Sequence, residues 1–290
     1  MDHRISRIAV VEHGSRRGAW RMQFRVPTER LAPFVRRFNA YAEHDTSFTR
    51  RRELPSGLAT LVFNLGQELR VEHPINTRTV YGPGAAFYSG LSRTYAVTET
   101  DRSQEGAQVM LTPLGARRLI GFPLEDVSDR LIDPVDLFAF AARETIERLQ
   151  ETKSHEGRLA ILEQLMMRRL MLSPSQIPHD LIWALGRLQE TFGSVGVNTL
   201  AAEVGCSRKH LTVRFGREFG MPPKLFARVV RFDRAVQVLR RGHVASWADL
   251  ASACGYADQA HLTRDFREFA GSSPAAFARR KLPDDGGFVD

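Results

Sequence analysis

Cysteine is scarce in this sequence: its 290 residues include two, Cys206 and Cys254. Two cysteines supply neither a disulfide framework nor the four ligands of a structural zinc site. No apolar run approaches the roughly 20 residues that a membrane-spanning helix needs, and the first residues lack the apolar core of a secretion signal. We therefore expect a cytoplasmic protein without a membrane partner. Its thiols are interpreted as small buried side chains rather than as redox sensors.

Catalytic signatures are also missing. The chain has no Gly-x-Ser-x-Gly elbow, no His-Glu-x-x-His pair, no Walker loop and no dinucleotide-binding glycine pattern. His44 and His73 have no neighbouring ligands at metal spacing. We expect no catalytic residue, no metal ion and no cofactor, so an enzyme or carrier is the least favoured functional hypothesis.

The most informative pattern occurs twice near the C-terminal end. Both copies have a Leu-Ala-x-x-x-Gly segment, a His-Leu-Thr triplet, a phenylalanine, a glycine and a proline, in that order. The first copy comprises Leu200–Gly205, His210–Thr212, Phe215, Gly220 and Pro223, and the second comprises Leu250–Gly255, His261–Thr263, Phe266, Gly271 and Pro274. The offset is 50 residues up to the first glycine and 51 after it. One residue is therefore inserted at the turn of the second copy.

Each copy predicts two short helices joined by a tight turn. In the first copy, the apolar residues from Leu200 onward have the spacing of a buried helical stripe. Gly205 is suited to end that helix, and Ser207 is suited to cap the next one. Leu211 and Phe215 then face back toward the first helix. Two helices joined by a turn that contains glycine are typical of a helix-turn-helix.

The outer face of each second helix is polar and basic, which fits the chemistry of DNA bases. In the major groove, Arg or Lys can contact guanine, Gln can contact adenine, and small residues allow close approach. The candidate DNA-binding residues are Ser207, Arg208, Lys209, Thr212, Val213, Arg217, Gln259, Ala260, Thr263, Arg264 and Arg267. The alternative is a pair of ordinary helical hairpins with solvated basic faces, which the matched duplication makes less favoured.

Positive charge is concentrated in the same region. Residues 181–281 contain 16 cationic and 8 acidic side chains, a net charge of +8, which equals that of the whole chain. Clustered positive charge is the electrostatic footprint of a polyanionic partner.

Between the two copies, Pro223–Arg241 predicts one linker helix that ends at Gly242. Such a helix would hold the two units at a fixed separation and orientation.

This region strongly resembles the DNA-binding domain of the AraC/XylS family of transcription regulators, over roughly residues 180–282. The most diagnostic stretches are Ala251–Tyr256, His261–Phe269, Gly271–Pro274 and Phe277. The resemblance implies helix-turn-helix units at residues 200–220 and 250–271 that bind double-stranded DNA, with RNA polymerase as a candidate partner. Val213 and Ala260 depart from the family pattern because they are apolar, although both can contact a thymine methyl group.

The first 172 residues have a different pattern, which predicts an α+β domain with a small β-sheet or barrel and C-terminal helices. Helices are predicted at Thr28–Tyr41, Leu114–Ile120, Leu137–Leu149 and Arg158–Leu172, and strands at Phe48–Leu54, Ala59–Asn64, Glu68–Glu72, Ala86–Ser89, Thr94–Thr98 and Gln108–Leu111. We expect this domain at residues 1–172 and a linker at 173–179. An all-α domain of two helix-turn-helix units joined by a linker helix follows at 180–282, and a tail at 283–290.

Parts of the N-terminal domain, notably Leu54–Gly57, Leu61–Gly66 and Phe87–Leu91, resemble a subset of AraC-type regulators. The resemblance implies a sensor, a dimerisation module or both, and it identifies no effector-binding residue. The leading hypothesis is a sequence-specific transcription regulator controlled by a small-molecule effector. The alternative is a regulator without a ligand, controlled by a protein partner or by its own abundance.

Two further features leave alternatives open. An apolar stripe near the end of the N-terminal domain either forms a homodimer interface or packs on its own sheet; it comprises Leu159, Leu162, Leu165, Met166 and Leu170. The basic run Arg50–Arg52 is interpreted as a solvated strand end rather than as a phosphate site.

Overall fold

The chain forms mainly strands before residue 112 and mainly helices after it. The computed structural model describes residues 7–15, 18–46, 50–73, 76–172, 177–241 and 244–280. The described strands are β1 (Ile8–Ser15), β2 (Gly18–Arg25), β3 (Val35–His44), β4 (Arg50–Glu53), β5 (Ala59–Asn64), β6 (Leu69–His73), β7 (Asn76–Tyr81), β8 (Ala86–Ser89), β9 (Ala96–Thr100), β10 (Gln104–Leu111) and β11 (Leu131–Ile132). This order confirms a β-rich N-terminal domain followed by a helical region.

The strands form two antiparallel sheets. The larger sheet has the order β1-β2-β3-β10-β5-β8-β11, and the smaller has the order β4-β9-β6-β7. Val62 and Phe87 lie on one face of the larger sheet and pack with Leu69 and Val71 of the smaller sheet. Leu61 lies on the other face of the larger sheet and belongs to the core that includes the helices. The larger sheet is therefore covered on both faces.

The helix predicted at Thr28–Tyr41 is wrong. Residues 29–34 form a turn, in which the Val35 amide donates to the Leu31 carbonyl at 2.8 Å, and the chain then extends as β3. Pro33 lacks an amide hydrogen and disfavours a helical conformation in the residue before it. Because most of β3 is buried on both faces, it lacks the apolar–polar alternation that would have identified a strand.

The other predicted strands lie close to the observed ones. The strands at residues 59–64 and 86–89 are confirmed residue for residue. Those at 68–72 and 94–98 are shifted by one or two residues, and the strand at 108–111 begins earlier, at Gln104. Of the strand predicted at 48–54, residues 50–53 form β4, and residues 48–49 lie outside the described part of the chain. Sequence reasoning missed β1, β2, β7 and β11.

Ten described helices follow β10 along the chain. They are α1 (Pro113–Ile120), α2 (Pro134–Glu151), α3 (His155–Leu172), α4 (His179–Glu190), α5 (Val197–Val204), α6 (Arg208–Phe219), α7 (Pro223–Arg241), α8 (Trp247–Ala253), α9 (Gln259–Ala270) and α10 (Pro274–Arg279), with a short 3-10 turn at Leu124–Asp126. The linker helix predicted at Pro223–Arg241 is confirmed as α7, while its stop at Gly242 lies outside the described residues. The three helices predicted between residues 114 and 172 are also present.

The apolar stripe on α3 packs within its own chain. Leu159, Leu162 and Met166 are completely buried, and α3 contacts β3 and α2. Of the two interpretations, the structure supports packing on the domain's own sheet. The same apolar core continues from the N-terminal domain into the helices that follow. The predicted domain boundaries stay predictions, since residues 173–176 and 281–290 lie outside the described ranges.

The described residues contain no helix long and apolar enough to cross a membrane. Among the same residues, no cluster of His, Cys, Asp or Glu side chains has the arrangement of a metal site.

The basic run on β4 is more than a solvated strand end, because each of its three arginines has a partner within the protein. Arg51 forms two hydrogen bonds to the Glu43 carboxylate, at 2.5 and 2.6 Å, and Arg50 pairs with Glu99 at 3.0 Å. Arg52 donates to the carbonyl of Ala270 at the end of α9. Arg51 points to the opposite face of the strand from Arg50 and Arg52, and the three residues reach different partners. The run serves ion pairing and contact between the two halves of the chain.

Candidate nucleic-acid interface

The first helix-turn-helix forms as its sequence predicts. Gly205, with φ of +74°, ends α5 in a left-handed conformation, which carries little penalty for glycine. Ser207 caps α6: its hydroxyl accepts a hydrogen bond from the His210 amide at 3.2 Å. Leu211 and Phe215 are completely buried. These features fix the direction in which α6 leaves the turn, with its outer face directed away from the core.

The second unit repeats this construction, except that an aspartate rather than a serine caps its second helix. Leu262 and Phe266 are completely buried, like their counterparts in the first unit. Asp258 caps α9 by accepting from the His261 amide at 2.6 Å. Asp258 lies 51 residues after Ser207, so the offset of the repeat could have identified this cap, which sequence reasoning missed. Both second helices therefore begin at the equivalent position.

The candidate DNA-binding residues lie together on the outer faces of α6 and α9. The exposed ones are Ser207, Arg208, Lys209, Val213, Arg217, Gln259, Ala260, Arg264 and Arg267. The two threonines are half-buried, and their hydroxyls donate to backbone carbonyls four residues earlier: Thr212 to Arg208 and Thr263 to Gln259, both at 2.8 Å. Because each hydroxyl has donated its one hydrogen, it can only accept a hydrogen bond from a further partner.

Val213 and Arg264 occupy equivalent positions at the centre of the two faces. Val213 is 62% exposed, a large exposure for an apolar side chain in a helix. Arg264 is also exposed, and the described residues form no ion pair with it. The carboxylates nearest to it in sequence, Asp265 and Glu268, are both engaged by Arg228 of α7. Arg264 therefore pairs with neither of these acids.

Arg228 fixes α9 on the linker helix. Its Nε and Nη2 atoms donate to Asp265 Oδ1 at 3.1 and 2.7 Å, and its Nη1 and Nη2 atoms donate to Glu268 at 3.1 and 2.5 Å. These hydrogen bonds raise the pKa of Arg228 above its ordinary value, and those to Glu268 have the largest effect. Asp265 is only 1% exposed, so its charge is neutralised inside the protein. Sequence reasoning missed this contact because Arg228 and Asp265 are far apart in the chain.

The first unit has an equivalent anchor of opposite polarity. Arg214 lies 51 residues before Asp265 and donates to the Asp180 carboxylate of α4 at 2.5 and 3.0 Å. The hydrogen bonds from Arg214 lower the pKa of Asp180. Each unit therefore uses the same helical position to bind a neighbouring helix of its own domain.

The N-terminal domain also contacts α6, which the sequence did not predict. Arg117 Nε of α1 donates to Glu218 Oε2 at 2.7 Å, and both side chains are largely buried. Arg217 lies 3.7 Å from Glu125, and both are exposed. Arg217 is thus the one predicted DNA-contacting residue that has an acidic neighbour from the N-terminal domain among the described residues.

The two cysteines lie beside the turns rather than on the outer faces. Cys254 is buried, and burial raises the pKa of its thiol. Cys206 is half-buried. A buried thiol with a raised pKa is less reactive, which agrees with the structural interpretation of Cys254.

Comparison with known proteins agrees with this geometry. Residues 200–280 match a family model described as a helix-turn-helix domain. The chain carries an AraC-type helix-turn-helix domain. This domain contains the exposed faces of α6 and α9. Residues 23–133 match a second family model, described as a domain of unknown function, DUF6597. No curated protein matches the chain.

Solved structures show a related fold. An apo variant of ToxT from Vibrio cholerae strain SCE256 is 9% identical, with a TM-score of 0.50, over 83% of this chain and 97% of that one. Wild-type ToxT with a bound unsaturated fatty acid is also 9% identical, with a TM-score of 0.49, over 80% and 91%. The DNA-binding domain of AdpA in complex with a target DNA is 28% identical, with a TM-score of 0.33, over 35% and 92%. At 9% identity, the similarity to the apo ToxT variant concerns the fold alone.

Proposed function

We propose that this protein is a sequence-specific transcription regulator that reads double-stranded DNA with the outer faces of α6 and α9. The observation that supports this most is the equivalence of the two faces, which are exposed, basic and centred on Val213 and Arg264. A helix of this kind fits the major groove, and two of them can enter successive grooves about 34 Å apart on one side of the duplex.

The two faces offer different base contacts. In α9, Arg264 can bind the guanine edge and Gln259 the adenine edge, while the small side chain of Ala260 permits close approach. In α6, Val213 can contact a thymine methyl group, and Lys209 can contact guanine or a phosphate. We therefore expect an asymmetric recognition site, with a different base preference in each half.

Selection from randomised duplex DNA tests this function. The intact chain should enrich a defined sequence, and Arg264→Ala should weaken binding to it by about 1–3 kcal/mol and relax the preference at one base position. Arg143 is an exposed arginine on α2, so Arg143→Ala is the matched control and should bind as the parent does. An Arg264→Ala protein with the parental site and affinity would contradict the assignment of α9 as a reading helix.

Arg217 is proposed to contact phosphate. Arg217→Ala should weaken binding to all sequences about equally and reduce the dependence of affinity on salt concentration. Glu125 lies 3.7 Å from Arg217 and would repel a nearby phosphate, so Glu125→Gln should strengthen binding to all sequences. Equal affinities for the parent and Glu125→Gln at low salt would contradict this.

The finer proposal is that a small polar effector binds the N-terminal domain between its two sheets. Asn39 is in register with Gln108, and Gln108 with Val62, so the three side chains share the face that packs on the smaller sheet. Asn39 is completely buried, and neither atom of its side-chain amide has a hydrogen-bond partner among the described residues. Such a buried group is costly unless a partner satisfies it, and a polar ligand could supply that partner.

Thermal unfolding of the intact chain with panels of sugars, amino acids and small carboxylic acids tests the effector. A ligand at 100 times its dissociation constant should stabilise the protein by about 2.7 kcal/mol, and Asn39→Leu should remove that response. A separate groove of about 730 Å³, lined by residues that include Trp20, His44 and His155, is the other candidate place. His155→Ala should remove the response only if the effector binds there.

If no compound stabilises the chain, the alternative of a regulator controlled by a protein partner or by abundance is favoured. RNA polymerase and a second copy of the chain stay candidate partners, to be tested by co-sedimentation on the selected DNA.

A cytoplasmic location is supported by the DNA partner itself, since the protein must share a compartment with the DNA it reads.

A further inference from the structure

The two helices proposed to read DNA, α6 and α9, are called the reading helices here. Each ends at a glycine that touches the N-terminal domain. Gly220 ends α6 with φ of +77°, and Gly271 ends α9 with φ of +64°. They occupy equivalent positions of the repeat, 51 residues apart. A Cβ atom at Gly220 would lie 2.9 Å from the Leu124 carbonyl oxygen, and one at Gly271 would lie 2.7 Å from the ring of Tyr95. Both contacts are closer than a side chain allows, so the N-terminal domain lies directly against both helix ends.

An arginine of the N-terminal domain anchors each of these ends. Arg117 pairs with Glu218 in the last turn of α6, where their side chains are 7% and 16% exposed. Arg52 donates to the Ala270 carbonyl in the last turn of α9, and its guanidinium lies 4.7 Å above the ring of Tyr95. A cation is favoured there because the carbonyl groups at a helix C-terminus carry partial negative charge. The two reading helices are thus held at the same point of the repeat by two different parts of one domain.

We propose that Arg117 and Arg52 are positioning residues for DNA reading, which hold α6 and α9 at one separation and orientation. The inference rests on the proposed function. Both anchors lie at the helix ends and leave the exposed residues at the centres of the faces, Val213 and Arg264, uncovered. The N-terminal domain would then fix the spacing of the two half-sites without touching DNA. The competing explanation is that the linker helix α7 alone fixes this spacing.

Inserting base pairs between the half-sites separates the two explanations. The DNA is the site that the intact parent selects, with and without two additional base pairs in the middle. Two base pairs displace one half-site by about 7 Å and rotate it by about 70°. The parent should lose about tenfold or more in affinity. The variant with both Arg117→Gln and Arg52→Ala should lose less than about threefold, while its affinity for an isolated half-site should equal that of the parent.

A pair of glycine variants provides a control for backbone strain. Gly220→Ala and Gly205→Ala introduce a side chain at nearly the same φ, +77° and +74°, but a Cβ at Gly205 would meet nothing within 4 Å. Gly220→Ala should therefore relax the spacing requirement, whereas Gly205→Ala should keep it. Affinity for the isolated half-site shows that the reading helices of each variant are folded.

The outcomes distinguish this inference from the proposed function. If the double variant and Gly220→Ala both keep the parental loss on the lengthened site, α7 alone sets the spacing and the inference is wrong. If the parent tolerates the insertion as well as the double variant does, no spacing is imposed and the inference is also wrong. If the parent selects no DNA sequence at all, it is the proposed function that fails.

Discussion

The contact between Arg228 and Asp265 allows a quantitative prediction about the stability of the second helix-turn-helix. Asp265 is 1% exposed, and its Oδ1 atom accepts two hydrogen bonds from Arg228, at 3.1 and 2.7 Å. Arg228→Met keeps an apolar stem against the neighbouring Phe269 ring but leaves a carboxylate buried without its cation. Removing one partner of a buried ion pair costs about 3–5 kcal/mol. The half-exposed Glu268 adds little, because exposed pairs contribute about 0–1 kcal/mol.

Urea unfolding at pH 7 of the parent and four variants measures this effect. Arg228→Met should lower the free energy of unfolding by about 3–5 kcal/mol. The variant with both Arg228→Met and Asp265→Asn should lose less than Arg228→Met alone, because a neutral amide is easier to bury than a carboxylate. Asp265→Asn alone completes the cycle, and Arg143→Met is the surface control, expected to change stability by less than about 0.5 kcal/mol. A loss below about 1 kcal/mol for Arg228→Met would refute the reasoning.

Three other predictions concern affinity, pH and oligomeric state. The fragment Asp180–Lys281 should bind duplex DNA without the rest of the chain, with an affinity that falls steeply with salt as counterions are released; a folded fragment that binds acidic vesicles but no DNA would contradict this. Burial raises the pKa of Asp233 to about 6. The protonated carboxyl group therefore contributes to stability at low pH, and this contribution is lost as pH rises through 6. In urea unfolding, Asp233→Asn should stabilise the protein at pH 8 by about 1–3 kcal/mol and should not stabilise it at pH 3.5. Leu162→Ala should cost about 2–5 kcal/mol of stability and leave the sedimentation coefficient unchanged, since Leu162 packs inside its own chain.

The helical region could be predicted closely from its sequence. The repeat, the turn glycine Gly205, the Ser207 cap and the bounds of α7 are local features, set by the spacing of apolar residues and by backbone preferences within a few positions. The outer faces of α6 and α9 follow from the same spacing, since a helix that buries Leu211 and Phe215 must expose Lys209 and Val213. Periodicity was sufficient there because each helix is buried on one face.

The N-terminal domain was harder to predict because its central strands are buried on both faces. β3 has Phe38 and Ala40 against the helices and Asn39 and Tyr41 on the opposite face, so its apolar residues run together and gave a false helical pattern. β1 has the opposite difficulty, since a largely exposed strand has little apolar pattern. β1 is identified as a strand by its pairing with β2, and β2 by its pairing with β3, and the sequence alone specifies neither pairing.

The sequence by itself determined that the chain has two copies of a helical unit with basic outer faces, because that information lies in residues close together in the chain. Only the tertiary structure decided which charges on those faces are available to a partner. Arg264 is available because Arg228, 36 residues earlier, forms ion pairs with the neighbouring Asp265 and Glu268. Arg217 has an acidic neighbour because Glu125 of the N-terminal domain lies against α6. Ion pairs between distant segments depend on how whole elements pack, and no local pattern of residues encodes them.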